Sequence, residues 1–536
     1  MTAQAQAEPA QDHGTGAVAR RAGIVVGGTL ASRLLGAVRD AFIAAYFAVS
    51  VTDTFIVAWT IPNALRGLLA EGAVSAAFIP VFSDIREHQG RAAARRYVAR
   101  FTGSMLVLLS AVALIGVLSA PSWAAMYGAG YQRDPERFAL LVQLTRIVFP
   151  YVIFAGIAAI GMGTLNALGY FAVPAFAPAL LNISLIAVPV ALLPFSRRLG
   201  LNDIVALSIG ALVGGLLQVL VQWPSLRKLG MAPLPRPAFR DPAVKRSLAL
   251  MLPLVLGSGI HQVDVLLSRL LTSFLPTGSQ SFLYYGQRVV EIPQGMFAIA
   301  IASAALPSLS VLHQQGKDAE ARSTLRFSMR LSLFVSIPAA VAIAALAEPI
   351  VTVVFGRGAF GAREVQETAR SLAVMAAAVC GVATIHPVVR MFHAYGDSRS
   401  PVLCAGINLV IFVATSMLAM KQLDHVAIAL GSAVATMAQL AALLWMLRRR
   451  LRGQLQLGEV LTSAARSLAA GLVMGATVYA LAGQGNWSAG GNDPRNLLVF
   501  TACAIVGVVV YAAAAYMLGS REVKELAASL RRRRNR

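Results

Sequence analysis

Cysteine is nearly absent: Cys380, Cys404 and Cys503 are the three in 536 residues. None has a CxxC spacing, and each lies in an apolar run. That excludes a disulfide framework and a thiolate metal site, and leaves small core residues as the ordinary reading. Charge is scarce as well, at 13% Asp, Glu, Lys and Arg, against roughly 25% in an average soluble chain. No GxxxxGK[ST] run is present, which excludes an intrinsic P-loop ATPase. HExxH, GxSxG and a clustered acidic metal site are missing too. The chain therefore reads as a protein with no enzyme activity and no metal or cofactor of its own. What it has in abundance is apolar sequence, 57% of all residues. This composition belongs to an all-α, polytopic membrane protein.

A window of about 19 residues predicts about fourteen transmembrane helices. They lie near 24–48, 53–82, 97–120, 138–166, 171–196, 201–224, 246–274, 279–311, 326–347, 364–394, 400–420, 424–447, 460–482 and 496–518. Residues 1–19 read as a disordered cytoplasmic tail without a signal peptide. The expected domains are an N-lobe over 20–224, a cytoplasmic linker over 225–245 and a C-lobe over 246–448. Two further helices over 449–518 and a basic cytoplasmic tail over 519–536 follow.

The net charge of +22 would suggest nucleic acid in a soluble chain. Position argues otherwise. Of the 46 Lys and Arg, twenty-eight fall in alternate loops and the tails, eight in the opposite loops and ten inside spans. This bias predicts both termini in the cytoplasm and makes Arg531–Arg534 a topology and anionic-lipid anchor, with no nucleic-acid partner.

Gly169 and Gly396, Pro174 and Pro401, and Pro80 and Pro307 are three pairs at one common offset along the chain. Each pair falls in equivalent spans, and the stretch between partners holds six spans. An even number preserves the crossing direction, so the sequence predicts two parallel six-helix repeats plus two helices. Such repeats carry substrate at their interface and work by alternating access.

The weakest spans carry charge. Arg33, Arg39 and Asp40 lie in the first, Arg66 and Glu71 in the second, Arg288 and Glu291 in the eighth. An ionised residue at a helix centre costs about 2.5–3.5 kcal/mol, which a water-filled cavity or an anionic ligand offsets and lipid does not. Arg39 and Asp40 are adjacent and diverge by about 100° around a helix, so they are expected not to neutralise each other. Arg288 and Glu291 are three apart and placed to pair. Arg66 has Asn63 on its face. Arg146, Arg269, Arg330, Arg370, Arg390 and Arg466, near span ends, are expected to snorkel. Pro62 and Pro293 interrupt helices beside Arg66 and Arg288. Guanidinium groups bind phosphate oxygens bidentately and stay charged, so this set suits a diphosphate. The driving force would be the membrane potential or an ion gradient.

The stretch "SRLLGAVRDAFIAAYF…TDTFIVAWTIPNALRGLLAEGAVSAAFIPVFSD" (32–84) resembles the N-terminus of the MurJ (MviN) lipid II flippases, within the multidrug/oligosaccharidyl-lipid/polysaccharide exporter superfamily. "YFAVPAFAPALLNI" (170–183) and "YYGQRVVEIPQGMFAIAIASAALPSLS" (284–310) are similar to that family as well. The resemblance implies a transporter of undecaprenyl-diphosphate-linked disaccharide-pentapeptide, from the cytoplasmic to the outer leaflet of a bacterial inner membrane, for peptidoglycan synthesis. It implies lipid II, membrane lipids and the cell-wall synthesis machinery as partners. It places the family's cavity arginines on Arg33, Arg39, Arg66 and Arg288, and its acidic positions on Asp40, Asp53 and Glu71. Some relatives bind sodium in the C-terminal lobe; Asp264 and Asn408 are the nearest matches here. A second acid one turn after Asn408 is replaced by Phe412, which argues against sodium coupling. Alternatives are an exporter of another polyprenyl-linked glycan or of drugs, a membrane phosphotransferase and a scaffold. A cation exporter would place acids where this chain places arginine, and a phosphotransferase would need clustered carboxylates that are missing.

Overall fold

Long apolar runs in lipid must satisfy their own backbone, and helices do so. The computed structural model describes residues 15–68, 74–198, 200, 202–294, 309, 311–451 and 453–523. Among these residues there is no β-strand. The helices are α1 (Thr15–Tyr46), α2 (Val49–Leu68), α3 (Val74–Leu118), α4 (Ala120–Tyr127), α5 (Pro135–Val148), α6 (Tyr151–Ala167), α7 (Ala172–Arg198), α8 (Ile204–Lys228) and α9 (Pro242–Ser273). They continue with α10 (Ser279–Pro293), α11 (Asp318–Ala345), α12 (Ala347–Phe355), α13 (Ala362–Ala394), α14 (Arg399–Leu423), α15 (His425–Arg450), α16 (Gly458–Ala482) and α17 (Pro494–Met517).

Ten helical stretches are long and apolar enough to cross a membrane. They correspond to ten of the fourteen predicted spans. The other four are the first, second, seventh and eighth, each of which includes residues or side chains outside the described set. The count of fourteen therefore stands as an expectation. Of the predicted span 53–82, α2 as described runs to Leu68 and α3 from Val74, and residues 69–73 lie outside the described set. Within α3, Gly90 at φ 80°, ψ 177° breaks the helical path. Glycine adopts that conformation without a Cβ penalty.

The repeat is visible element by element. Helices α1 and α9 are each 32 residues long, and their first residues, Thr15 and Pro242, keep the offset of the glycine and proline pairs. The stretch Pro135–Ala167 and helix Ala362–Ala394 are each 33 residues, again at that offset. Both terminate alike. Gly169 (φ 83°) and Gly396 (φ 70°) are left-handed. Tyr170 N donates to Leu165 O and Asp397 N to Phe392 O, each at 2.9 Å, while Gly169 N reaches Asn166 O and Gly396 N reaches His393 O, each at 3.0 Å. This is one Schellman cap made twice. The stretch is interrupted at Phe149–Pro150 in the first copy and continuous in the second. Pro307 of the pair Pro80/Pro307 lies outside the described residues.

The chain divides into two units, one of residues Met1–Ile43 with Thr54–Leu266, the other of Ala44–Asp53 with Leu267–Arg536. In the first unit, Phe78 is buried between Phe82, Tyr97 and Phe101, with ring centroids 5.2–5.6 Å away. The Tyr97 hydroxyl lies 2.6 Å from Ser247 Oγ, which joins α3 to α9. In the second unit, one core gathers Leu325, Met329, Phe392 and Leu447, and another packs Phe334, Met474, Cys503 and Tyr511. The opposite faces of α14 and α17 leave Val410, Leu418, Leu498 and Val508 exposed. Apolar stripes of this kind are solvated by lipid tails.

Candidate functional site

In the first unit the charged part of α1 is held by α7. Gly28 lets the helices approach: a Cβ there would stand 2.6 Å from the Ala175 Cβ. Two turns on, Asn182 of α7 donates through Nδ2 to the Ser32 carbonyl at 2.9 Å and accepts from Arg39 Nη1 at 2.9 Å. The rest of the Arg39 fork turns onto Asp40, with Nε at 2.9 Å and Nη2 at 2.6 Å from Oδ1. Asp40 is buried and Arg39 nearly so, at 2% and 12% exposure. This corrects the expectation drawn from helix geometry. Cβ directions diverge for neighbours, but the arginine stem is long enough to curl its fork back onto the adjacent carboxylate. Arg33 is exposed, with no hydrogen-bond or ion-pair partner among the described residues.

On α2, Arg66 Nε donates to Asn63 Oδ1 at 3.1 Å. Pro62 is buried within the same helix, one turn before Arg66. Glu71 lies outside the described residues.

In the second unit Arg288 sits two turns into α10. Its Nη1 meets Glu291 Oε2 at 2.7 Å, its Nη2 the Tyr284 hydroxyl at 3.2 Å, and its guanidinium carbon lies 4.8 Å from the Tyr284 ring centroid. The predicted i,i+3 pair is thus formed. Both partners are partly exposed, at 36% and 45%, so the pair itself contributes little stability, roughly 0–1 kcal/mol. Pro293 ends α10.

Asp53 has a local task. The N-cap of α10 is Gly278, at φ 100° and without a side chain to offer. The buried Asp53 carboxylate supplies what glycine lacks: Oδ2 accepts from Gly278 N at 2.7 Å, and Oδ1 from Ser281 N at 2.8 Å and Ser281 Oγ at 2.7 Å. A second tie, Ala359 N to Ala45 O at 2.8 Å, fixes the same segment. Gly358 beside it leaves no space for a Cβ, which would stand 2.2 Å from that oxygen.

Of the expected cation-coupling pair, Asp264 lies on α9 in the first unit's part of the chain and Asn408 on α14 in the second unit; both are half-buried. Phe412, one turn beyond Asn408, is buried. No group of three His, Cys, Asp or Glu side chains is placed to hold a metal among the described residues.

Two of the arginines near span ends have carboxylate partners. Arg370 Nη1 binds Glu367 Oε2 at 2.8 Å. Arg330 Nε binds Glu522 Oε1 at 2.7 Å, and Glu522 also accepts from Ser463 at 2.9 Å and Ser520 at 2.7 Å. Burial pushes the Glu522 carboxyl upward. Hydrogen bonds from Ser520, its own backbone, Arg330 and Ser463 outweigh that and bring it to about 2. Sequence reasoning missed Asn182 and Glu522. The available signal for Asn182 was a lone amide in the apolar run "ALLNISL".

The family described as lipid II flippase MurJ matches residues 43–491. A probable lipid II flippase MurJ of Vibrio cholerae is 34% identical over 520 residues, covering 95% of this chain and 98% of its own. The lipid II flippase MurJ of Burkholderia cenocepacia is 32% identical, covering 92% and 96%. In fold, the chain resembles a lipid II flippase MurJ solved in an inward closed conformation (TM-score 0.76, 22% identity, 92% and 98% coverage). It also resembles an inward-facing multidrug resistance MATE transporter (TM-score 0.64, 13% identity, 79% and 96% coverage). With charged, apolar-flanked helices in a repeated all-α membrane fold and similarity running nearly end to end, the chain belongs to the lipid II flippase MurJ family.

Proposed function

We propose that this protein moves undecaprenyl-diphosphate-linked disaccharide-pentapeptide from the cytoplasmic to the outer leaflet of a bacterial inner membrane. The observation that carries this reading is membership of the family over residues 43–491. Arg33, Arg39, Arg66 and Arg288 hold the diphosphate during an alternating-access cycle, and no bond of the substrate is made or broken. Arg39 is suited to this because Asp40 and Asn182 fix its fork before any ligand arrives, which removes part of the ordering cost of binding. Arg33 contributes an exposed cation. Arg288 exchanges its contact with Glu291 for phosphate oxygens, a stronger charge-assisted contact than its partly exposed pair. The chain needs no cofactor. Carrying negative charge outward past an inside-negative potential gains about 2.3 kcal/mol per charge per 100 mV. Both termini face the cytoplasm, the orientation that the distribution of basic residues favours.

The test is depletion in cells whose only lipid II flippase is this chain. Lipid II accumulates on the cytoplasmic face, and Arg288→Ala fails to restore growth at normal membrane abundance. Unchanged outer-leaflet exposure of lipid II on depletion would remove the reading, and full growth of Arg288→Ala would remove the arginine part of it.

A further inference from the structure

A polar recess lies in the second unit, at a site that takes no residue from α10. Where α11 ends, α12 and α13 begin and α16 ends, a cavity of about 680 Å³ is lined by Glu348, Gln366, Glu367, Arg370, Tyr479 and Trp487, among others. Its size is that of a small-molecule site. Four helix ends place it at the level where apolar spans give way to loops, and Tyr and Trp at that level mark the headgroup region of a bilayer. Tyr479 is 70% exposed and continues the stripe of Leu461, Leu468 and Leu472 along α16, all exposed and apolar. The cavity therefore opens beside a lipid-facing surface, and its ligand arrives from lipid.

The charges specify the headgroup. Two carboxylates and one guanidinium give the lining a net charge of one negative. Arg370 already shares an ion pair with Glu367 and remains largely exposed. Glu348 is exposed and has no hydrogen-bond or ion-pair partner among the described residues. An anionic headgroup is repelled by this balance. A trimethylammonium group presents no N–H to Glu348. A primary ammonium donates three hydrogen bonds, and a phosphate next to it reaches the guanidinium of Arg370. We propose that this cavity binds the headgroup of an ethanolamine phospholipid, its ammonium on Glu348 and its phosphate on Arg370. With both termini cytoplasmic, as proposed above, the cavity faces the outer leaflet; the binding itself does not rest on that orientation.

The full chain in phosphatidylcholine nanodiscs, with a trace of photoactivatable ethanolamine phospholipid, provides the test. Crosslinks should concentrate in segments 344–349 and 479–487. Unlabelled phosphatidylethanolamine should suppress them and phosphatidylglycerol should not. Glu348→Gln should weaken labelling about tenfold, the effect of losing one charge-assisted hydrogen bond. Glu348→Lys, which makes the lining net positive, should invert the preference toward phosphatidylglycerol; this gain separates loss of recognition from loss of fold. Equal competition by the two lipids, undiminished labelling of Glu348→Gln, or equal competition by water-soluble phosphoethanolamine would overturn the proposal. Because the readout is binding, a failure here leaves the transport reading standing, and a failure of transport leaves this one.

Discussion

At the scale of single residues, the charged groups of the first unit differ in what holds them. Arg39 is bound on three nitrogens by Asp40 and Asn182, while Arg33 is exposed. Replacing Asn182 with Ala strips one partner from Arg39 and leaves the Ser32 carbonyl without its side-chain donor. The expected loss is about 1–3 kcal/mol, read as a lower unfolding midpoint in detergent together with weaker lipid II transport. Asn182→Ala with wild-type stability and transport would show that Asp40 alone orients the fork. The Glu522 carboxyl carries a pH dependence. It is held at about 2 against an ordinary 4.5, so its contribution to stability is present above pH 4.5 and is lost as pH falls toward 2. The unfolding midpoint should fall across that window, and Glu522→Gln should flatten the fall while lowering stability at neutral pH, because it leaves Arg330 buried without its counterion.

These residues also mark the limit of what the sequence discloses. The arginines were legible because charge in an apolar run is conspicuous. The Arg288–Glu291 pair was legible because helical spacing is fixed. Asn182 with Arg39 and Glu522 with Arg330 join positions 143 and 192 residues apart, and no periodicity reports such meetings. The error over Arg39 and Asp40 has a different source, since Cβ direction says little about where the far end of an arginine goes.

At the scale of elements, helix ends carry much of the specification. Asp53→Ala removes the acceptors at the start of α10 and should cost about 0.5–2 kcal/mol. Hydrogen exchange provides the check, with faster exchange expected at the amides of Gly278 and Ser281 and little change at the far end of α13. The paired caps at Gly169 and Gly396 share a second prediction. An alanine at either enters the left-handed region at about 1–2 kcal/mol, and at Gly396 no atom lies within 4 Å of a new Cβ to add a steric cost. Gly396→Ala should therefore lower the unfolding midpoint modestly and leave the membrane insertion of the chain intact. Repeat boundaries were readable from glycine and proline alone because a left-handed cap restricts residue type more than a helix interior does. The break at Gly90 inside α3 was not readable, since helix-compatible sequence continues on both sides of it.

At the scale of the whole molecule, composition settled the class, and the offset shared by the glycine and proline pairs settled the duplication. Family membership turns the expectation of a transporter into a specific assignment that can be tested in cells. Bulk hydropathy cannot divide the chain as the structure does: residues Ala44–Asp53 group with the second unit, although the rest of α1 and α2 groups with the first.

That grouping bears on how the protein is made. The carboxylate of Asp53 and the amide of Gly278 are 225 residues apart in the chain. A ribosome adding about 5–20 residues per second needs roughly 10–45 s to deliver the second after the first. Through that interval the early segment has been synthesised but its docking place has not. Closure at this point is therefore late: the Asp53 carboxylate lacks Gly278 and Ser281 until they are made, and a chain truncated before residue 278 should be degraded faster than the full chain.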